Sequence, residues 1–224
     1  MWWIIIAIII LIKLILCYNM LLNHPKAEKV KYSEIEQNCK TGDLILFHGL
    51  DNINGIFIGC YFTHIGIVYR ESSYTRPYIF EAWNPKLGIL YPQEISNGIA
   101  FTDLENRLNS YRGYVFYKPL EMAVLPIVNA EFYKFIYTAV KKMKYNNNVI
   151  QNGINKLLFN DQLRIGTNCG ELVYLSLMKL GIIKTSNFHI NRKHHLREMC
   201  YLEDTDTGNK YLPISYVWQN YFIL

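Results

Sequence analysis

HIGIVYR (residues 64–70) and PYIFEAW (residues 77–83) are the two stretches that decide the fold of this chain. Both are rich in β-branched and aromatic residues, which favour strands. The six residues between them, 71–76, are polar and contain the pair of serines expected of a turn. The pattern therefore predicts an antiparallel hairpin.

The register of this hairpin decides which side chains meet across it. If the turn is centred between Ser72 and Ser73, His64 lies opposite Glu81. A turn shifted by one residue each way pairs Gly66 with Glu81, and His64 becomes the diagonal neighbour of Glu81 on the same face. In both registers a carboxylate lies within reach of the imidazole.

Further elements are predicted on either side of the hairpin. Strands are predicted at Asp43–Phe47 (DLILF) and Gly113–Pro119 (GYVFYKP), and helices at Glu131–Tyr145 and Cys169–Leu180. Asn168 is a good N-cap for the last helix, and Gly181 supplies a left-handed stop. Strands followed by segregated helices predict an α+β domain with an antiparallel sheet and flanking helices.

The N-terminus carries the strongest hydropathy signal. Residues 2–22 contain eight Ile, five Leu and a single charge, Lys13. A helix of this length is about 30 Å long, the thickness of the hydrocarbon core of a bilayer. Lys13 costs roughly 3 kcal/mol, whereas the Ile and Leu residues contribute about −4 to −8 kcal/mol. Residues 1–24 are therefore predicted to form a transmembrane anchor that inserts in the lipid bilayer through residues 2–22.

Two alternatives compete with an uncleaved anchor. A secretory signal peptide carries positive charge before its apolar core and small residues at its cleavage site, and neither feature is present. Leu14–Cys17 resembles a bacterial lipoprotein signal, but Leu16 is not a small residue. Lys26, Lys29 and Lys31 follow the span, so a single-pass protein with its domain on the cytosolic side is expected.

Composition limits the remaining organisation and the classes of partner. Residues 25–39 are predicted to be a linker, and residues 40–224 one domain, for which 51% apolar residues supply a core. The net charge is +5, but Lys and Arg are scattered, which argues against a nucleic-acid partner. The five cysteines include no C-x-x-C pair, and His194-His195 is interpreted as a solvated basic turn, so no metal and no cofactor are expected.

Cys169 is the candidate nucleophile. A thiol in the first turn of a helix lies close to exposed N–H groups and the positive end of the helix dipole, which favour the thiolate. Gly166 and Gly170 near it allow a substrate to approach the backbone. The alternative is a small buried side chain on a core helix, which is the common situation of a cysteine.

His64 and Glu81 are the candidate base and its partner. An imidazole can take the proton of a thiol, and a carboxylate can hold the ring in one orientation. Taken singly, each is more often structural: a histidine at a strand end, and a glutamate in a salt bridge. Trp83, next to this strand, is a further candidate for lining a substrate cleft.

Four motifs together carry a resemblance to a known family. TGDLILF, FTHIGIVYR, YIFEAW and TNCGELVYLSL resemble the circularly permuted papain-like cysteine hydrolases of the NlpC-related superfamily. The branch is the one with bacterial YiiX-type and poxvirus proteins; lecithin retinol acyltransferase is more distant. The resemblance covers residues 40–181 and implies a permuted papain-like fold with the chain order His, acidic or polar residue, Cys.

The resemblance also implies roles and a function. Cys169 would be the nucleophile, His64 the general base and Glu81 the residue that orients His64, whereas Asp43 would be structural. The expected protein is a membrane-anchored hydrolase or acyltransferase that acts on a peptide, amide or lipid acyl substrate through a thioester. The alternative is an inactive, membrane-tethered binding or assembly module of the same fold. The poxvirus members and the composition, rich in Ile, Asn, Lys and Tyr, point to a viral protein in a host or virion membrane.

Overall fold

A computed structural model describes residues 25–49, 60–82, 98–121, 130–143, 168–184 and 199–218, and nine positions between residues 2 and 18. The strands are β1 (Glu28–Lys31), β2 (Leu44–His48), β3 (His64–Tyr69), β4 (Tyr78–Ala82), β5 (Ile99–Asp103), β6 (Tyr114–Lys118), β7 (Leu120–Glu121), β8 (Lys210–Tyr211) and β9 (Ser215–Trp218). The helices with defined bounds are α1 (Tyr32–Asn38), α2 (Leu104–Ser110), α3 (Ala130–Lys142) and α4 (Cys169–Lys179).

Seven of these strands form one sheet in the order β1-β9-β6-β2-β3-β4-β5. Its pairings are antiparallel except for β1 with β9, which is parallel. β7 and β8 form a separate two-stranded ribbon. The predicted α+β class is therefore confirmed, with a mainly antiparallel sheet and helices beside it.

Helices cover both faces of the sheet, because the strands alternate their apolar side chains between two cores. Leu44 and Leu46 of β2 belong to the core that contains α3 and α4, which we call the first core. Ile45 and Phe47 belong to the core that contains α1 and α2, the second core. All four side chains are fully buried, as expected for a central strand with both faces covered.

The hairpin forms with the second of the two registers considered above. Gly66 pairs with Glu81, so His64 is the diagonal neighbour of Glu81. A Cβ on Gly66 would lie 2.5 Å from Cδ1 of Ile79 and 3.3 Å from Cβ of Glu81. The missing side chain thus lets β3 and β4 pack closely where the diagonal contact is made.

Residues 25–39, predicted to be a linker, carry a strand and a helix that pack with the domain. Residues 28–31 pair with the C-terminal strand β9, and α1 inserts Ile35 into the second core with only 1% of its surface exposed. Cys39, which follows the helix, is 3% exposed. The polar composition of this stretch concealed its role, because a short edge strand and a two-turn helix need few apolar residues to be anchored.

The order of strands first and helices afterwards is also wrong at the C-terminal end. β9 follows α4 in the chain and occupies a position inside the sheet, between β1 and β6. Tyr211 and Tyr216 both contribute to the first core.

Asp43 has the structural role that the resemblance implied. Its carboxylate is fully buried and accepts hydrogen bonds from the backbone N–H groups of Leu120 (2.8 Å) and Lys40 (2.9 Å) and from the hydroxyl of Tyr117 (2.5 Å). These bonds join the start of β2 to the end of β6 and the start of β7. Burial raises the pKa of Asp43, opposed by Lys40 and by these hydrogen bonds.

The described positions near the N-terminus are helical, and their large apolar side chains are exposed, with Trp2 at 75% and Trp3 at 83%. Among the residues that the structure describes, none belongs to a helix both long and apolar enough to cross a bilayer. Most of the predicted anchor, including Lys13, lies outside those residues.

Candidate active site

Cys169 opens helix α4, as the sequence predicts. The side chain of Asn168 caps the helix by accepting a hydrogen bond from the backbone N–H of Glu171 (2.9 Å). The first bond within the helix runs from the N–H of Leu172 to the carbonyl of Asn168 (2.9 Å). Helix geometry therefore directs the N–H groups of Cys169 and Gly170 toward the N-terminal end of α4, beside the sulfur. Gly181 ends this region with φ +70°, as predicted.

His64 stands at the first position of β3. On the side of the second core its ring lies 5.2 Å from the ring of Phe47, centroid to centroid. Its Nε2 is 2.6 Å from Oε2 of Glu81. The Cys169 side chain lies close enough to the ring to raise the pKa of His64. Because Glu81 engages Nε2, the nitrogen that can exchange a proton with the sulfur is Nδ1.

Glu81 is fully buried in β4, with a partner on each carboxylate oxygen. Oε2 accepts from His64, and Oε1 accepts from Nε of Arg107 at 2.6 Å. Arg107 comes from α2, on the second-core face of the sheet. The result is a continuous series of side chains, which we call the polar chain: Cys169, His64, Glu81 and Arg107.

The electrostatics of this polar chain favour the charged forms of its two middle residues, His64 and Glu81. Burial alone would lower the pKa of His64, but the hydrogen bonds and charges of Cys169 and Glu81 raise it to about 9. Burial alone would raise the pKa of Glu81, but the charge of Arg107 and the contacts with His64 hold it below its ordinary value. At neutral pH the geometry thus supports an imidazolium beside a carboxylate.

The structure brings together the three residues singled out from the sequence, Cys169, His64 and Glu81. It adds Arg107, which the sequence reading missed. A signal was present: in the helix Leu104–Ser110 the positions of Leu104, Arg107 and Leu108 share one face, and all three are buried. An arginine on the apolar face of a short helix indicates a buried carboxylate partner.

Other candidates lie elsewhere. Trp83 and His194-His195 are outside the described residues. Within the described ranges, no three His, Cys, Asp or Glu side chains are grouped so that they could hold a metal ion. Cys39, Cys60, Cys169 and Cys200 are buried and form no disulfide bonds within the described part of the chain. The polar chain can move a proton between the sulfur of Cys169 and Nδ1 of His64, because the other ring nitrogen, Nε2, is hydrogen-bonded to Glu81.

The chain matches no protein-family model and no curated protein sequence.

Proposed function

We propose that this chain is a membrane-anchored cysteine hydrolase or acyltransferase of the permuted papain-like type. The observation that carries the proposal is the hydrogen bond between His64 and the buried Glu81, with Cys169 beside the ring at the N-terminus of α4. A buried cysteine that served packing alone would not need an imidazole with a buried carboxylate behind it.

The reaction would proceed by acyl transfer to the sulfur. Before substrate binds, the thiol proton of Cys169 already resides on Nδ1 of the His64 imidazolium, and the sulfur, as a thiolate, attacks the carbonyl carbon of an amide or ester to form a C–S bond. The imidazolium then gives its proton to the leaving nitrogen or oxygen as that bond to carbon breaks, which leaves a thioester. Water or another acceptor, deprotonated by His64, attacks the thioester and releases the thiol.

Two further groups have roles in this scheme. The backbone N–H groups of Cys169 and Gly170 are suited to stabilise the oxyanion, because they lie at the positive end of the helix beside the sulfur. Glu81 stabilises the imidazolium that forms in each half-reaction.

The anchor would hold this domain at a bilayer on its cytosolic side. The exposed apolar side chains at helical positions of the N-terminus support this, together with the hydropathy of residues 2–22. An acyl lipid or a membrane-bound peptide is then the expected substrate class, since the anchor raises the local concentration of the domain at the membrane surface. A host or virion membrane is the proposed location.

Acylation by a p-nitrophenyl acyl ester tests this proposal on the full chain in detergent micelles. We expect one hydroxylamine-sensitive adduct near neutral pH, mapped to Cys169 by mass spectrometry and absent from Cys169→Ala. Cys200→Ala, which removes another buried thiol, is the matched control and should label normally. Glu81→Gln should slow acylation per folded molecule by about 10- to 10⁴-fold, because the ring loses its anionic partner.

Each other outcome has a clear meaning. An adduct that survives in Cys169→Ala, or no adduct in the folded wild-type chain, would favour the alternative of an inactive binding or assembly module. An unchanged rate in Glu81→Gln would remove Glu81 from the site and leave a Cys169–His64 dyad.

A further inference from the structure

Arg107 is buried against two aromatic rings, those of Phe47 and Tyr111. Its guanidinium carbon lies 4.5 Å from the centroid of the Phe47 ring and 5.2 Å from that of Tyr111. Only 4% of the residue is exposed. Phe47 also contacts Tyr111, with ring centroids 4.8 Å apart, and the same ring contacts His64. One aromatic side chain therefore packs against both cationic groups that bind Glu81.

Burying a guanidinium costs hydration free energy, which is offset only when an anion pairs with its charge. Arg107 is buried, stacks on two aromatic rings and donates a short hydrogen bond from Nε to Oε1 of Glu81, through which its charge reaches the site. No step of acyl transfer uses Arg107, since the sulfur lies at the other end of the polar chain. Its effect must therefore pass through Glu81.

We infer that Arg107 is a positioning residue that sets the direction of the hydrogen bonds in the polar chain. Its positive charge keeps Glu81 a carboxylate, which can only accept a hydrogen bond from the Nε2–H group of His64. Nδ1 is then the nitrogen that faces the sulfur and exchanges its proton. This inference rests on the proposed function for its catalytic consequence, but not for its structural content.

Without the positive charge of Arg107, the hydrogen bond between His64 and Glu81 would reverse its direction. Without Arg107, burial disfavours the two separate charges of the Glu81–His64 pair, and the proton on Nε2 moves to the carboxyl. A protonated Glu81 donates its hydrogen to Nε2, so the neutral ring carries its own hydrogen on Nδ1, toward the sulfur. Such a ring cannot accept the thiol proton. The groups that bear on this equilibrium are Glu81 from β4, Cys169 from α4, and Arg107 with Tyr111 from α2 and the turn after it.

The test is ¹⁵N NMR of the full chain in micelles, labelled at histidine, with the His64 signals assigned by their loss in His64→Gln. At pH 7 the wild type should show an imidazolium, with both ring nitrogens protonated. Arg107→Met should show a neutral ring with its hydrogen on Nδ1. Arg107→Lys, which has a stem of similar length and retains a charge, should keep the imidazolium. If Arg107→Met does not fold, Arg107→Gln replaces it as the uncharged variant.

A folded, uncharged variant that still shows an imidazolium at His64, or a Lys variant that loses it, would overturn the inference. Loss of packing alone would not move the ring proton in one variant and leave it in the other. Acylation of Cys169 is measured alongside and should fall about 10²- to 10⁴-fold in Arg107→Met. If the ring proton moves as expected but the wild-type chain is never acylated, the positioning role stands and the proposed function fails.

Discussion

At the scale of single residues, the candidate site depends on charges placed where burial alone would neutralise them. The pKa of His64 is raised by hydrogen bonding and charge from neighbouring groups, and that of Glu81 is lowered chiefly by the charge of Arg107, in both cases against the effect of burial. At a separation of 2.6 Å the attraction between imidazolium and carboxylate exceeds the loss of hydration, provided that Arg107 balances the second oxygen. Protonation of His64 should therefore be linked to folding.

The first prediction concerns this linkage. The folded-state pKa of His64, about 9, lies above its ordinary value of 6.5. Its contribution to stability is therefore fully present below pH 6.5 and is lost as the pH rises through 9. For Glu81, whose pKa is lowered, the contribution is present above its ordinary value of 4.5 and is lost as the pH falls through the folded-state pKa.

An NMR titration of His64 should give a midpoint near pH 9, and Glu81→Gln should lower it, because the amide retains a hydrogen bond but not the charge. The free energy of unfolding of the wild type relative to His64→Gln should decrease between pH 6.5 and 9. A midpoint near 6.5 in the wild type, or one that Glu81→Gln does not move, would contradict the coupling.

At the scale of elements, the site depends on close packing of two strands and on one helix start. Gly66 lies two residues after His64 and directly opposite Glu81. Its lack of a side chain permits the diagonal contact between His64 and Glu81. α4 packs against β3 and β4 from the first core, so Cys169 reaches His64 from the opposite side to Arg107. Side chains on the two faces of the sheet therefore meet at the first residue of β3.

The second prediction tests this packing. In Gly66→Ala the new methyl group would lie 2.5 Å and 2.6 Å from two side-chain carbons of Ile79, which is itself fully buried. We expect a loss of about 1–3 kcal/mol in unfolding free energy, together with slower acylation of Cys169, because β4 must move away from β3.

Ile79→Ala supplies the control, since it removes both clashing carbons at a cost of about 2–5 kcal/mol by itself. The double variant Gly66→Ala/Ile79→Ala should lose clearly less stability than the sum of the two single variants, measured by chemical denaturation in one detergent. Strict additivity would show that the two positions do not contact one another as described.

At the scale of the whole molecule, the two ends of the domain meet in the sheet. β1 near the start pairs with β9 near the end, and β9 in turn pairs with β6. The predicted anchor precedes β1 by only a few residues, so insertion of residues 2–22 in a bilayer would hold this edge of the sheet close to the membrane surface.

The third prediction is that the full chain stays in the membrane pellet after a carbonate wash and keeps its original N-terminus. Ile8→Lys/Ile12→Lys should release it, because two added lysines cost roughly 6 kcal/mol at the centre of the span. Lys26→Ala/Lys29→Ala, outside the span, is the matched control for retention. Release of the wild type by carbonate, or a mature N-terminus after Cys17, would show that residues 1–24 are not an anchor.

The sequence by itself determined the α+β class, the central hairpin and helix α4 with its cap, because local periodicity, turn residues and capping act over a few positions. It also singled out Cys169, His64 and Glu81, since a helix start and a buried polar pair leave local signals. Only the tertiary structure decided the register between the two possibilities, the place of β1 and β9, and the role of Arg107. Each of these depends on contacts between residues distant in the chain, where the packing of Gly66 on Ile79 or the pairing of a guanidinium with a buried carboxylate outweighs local preference.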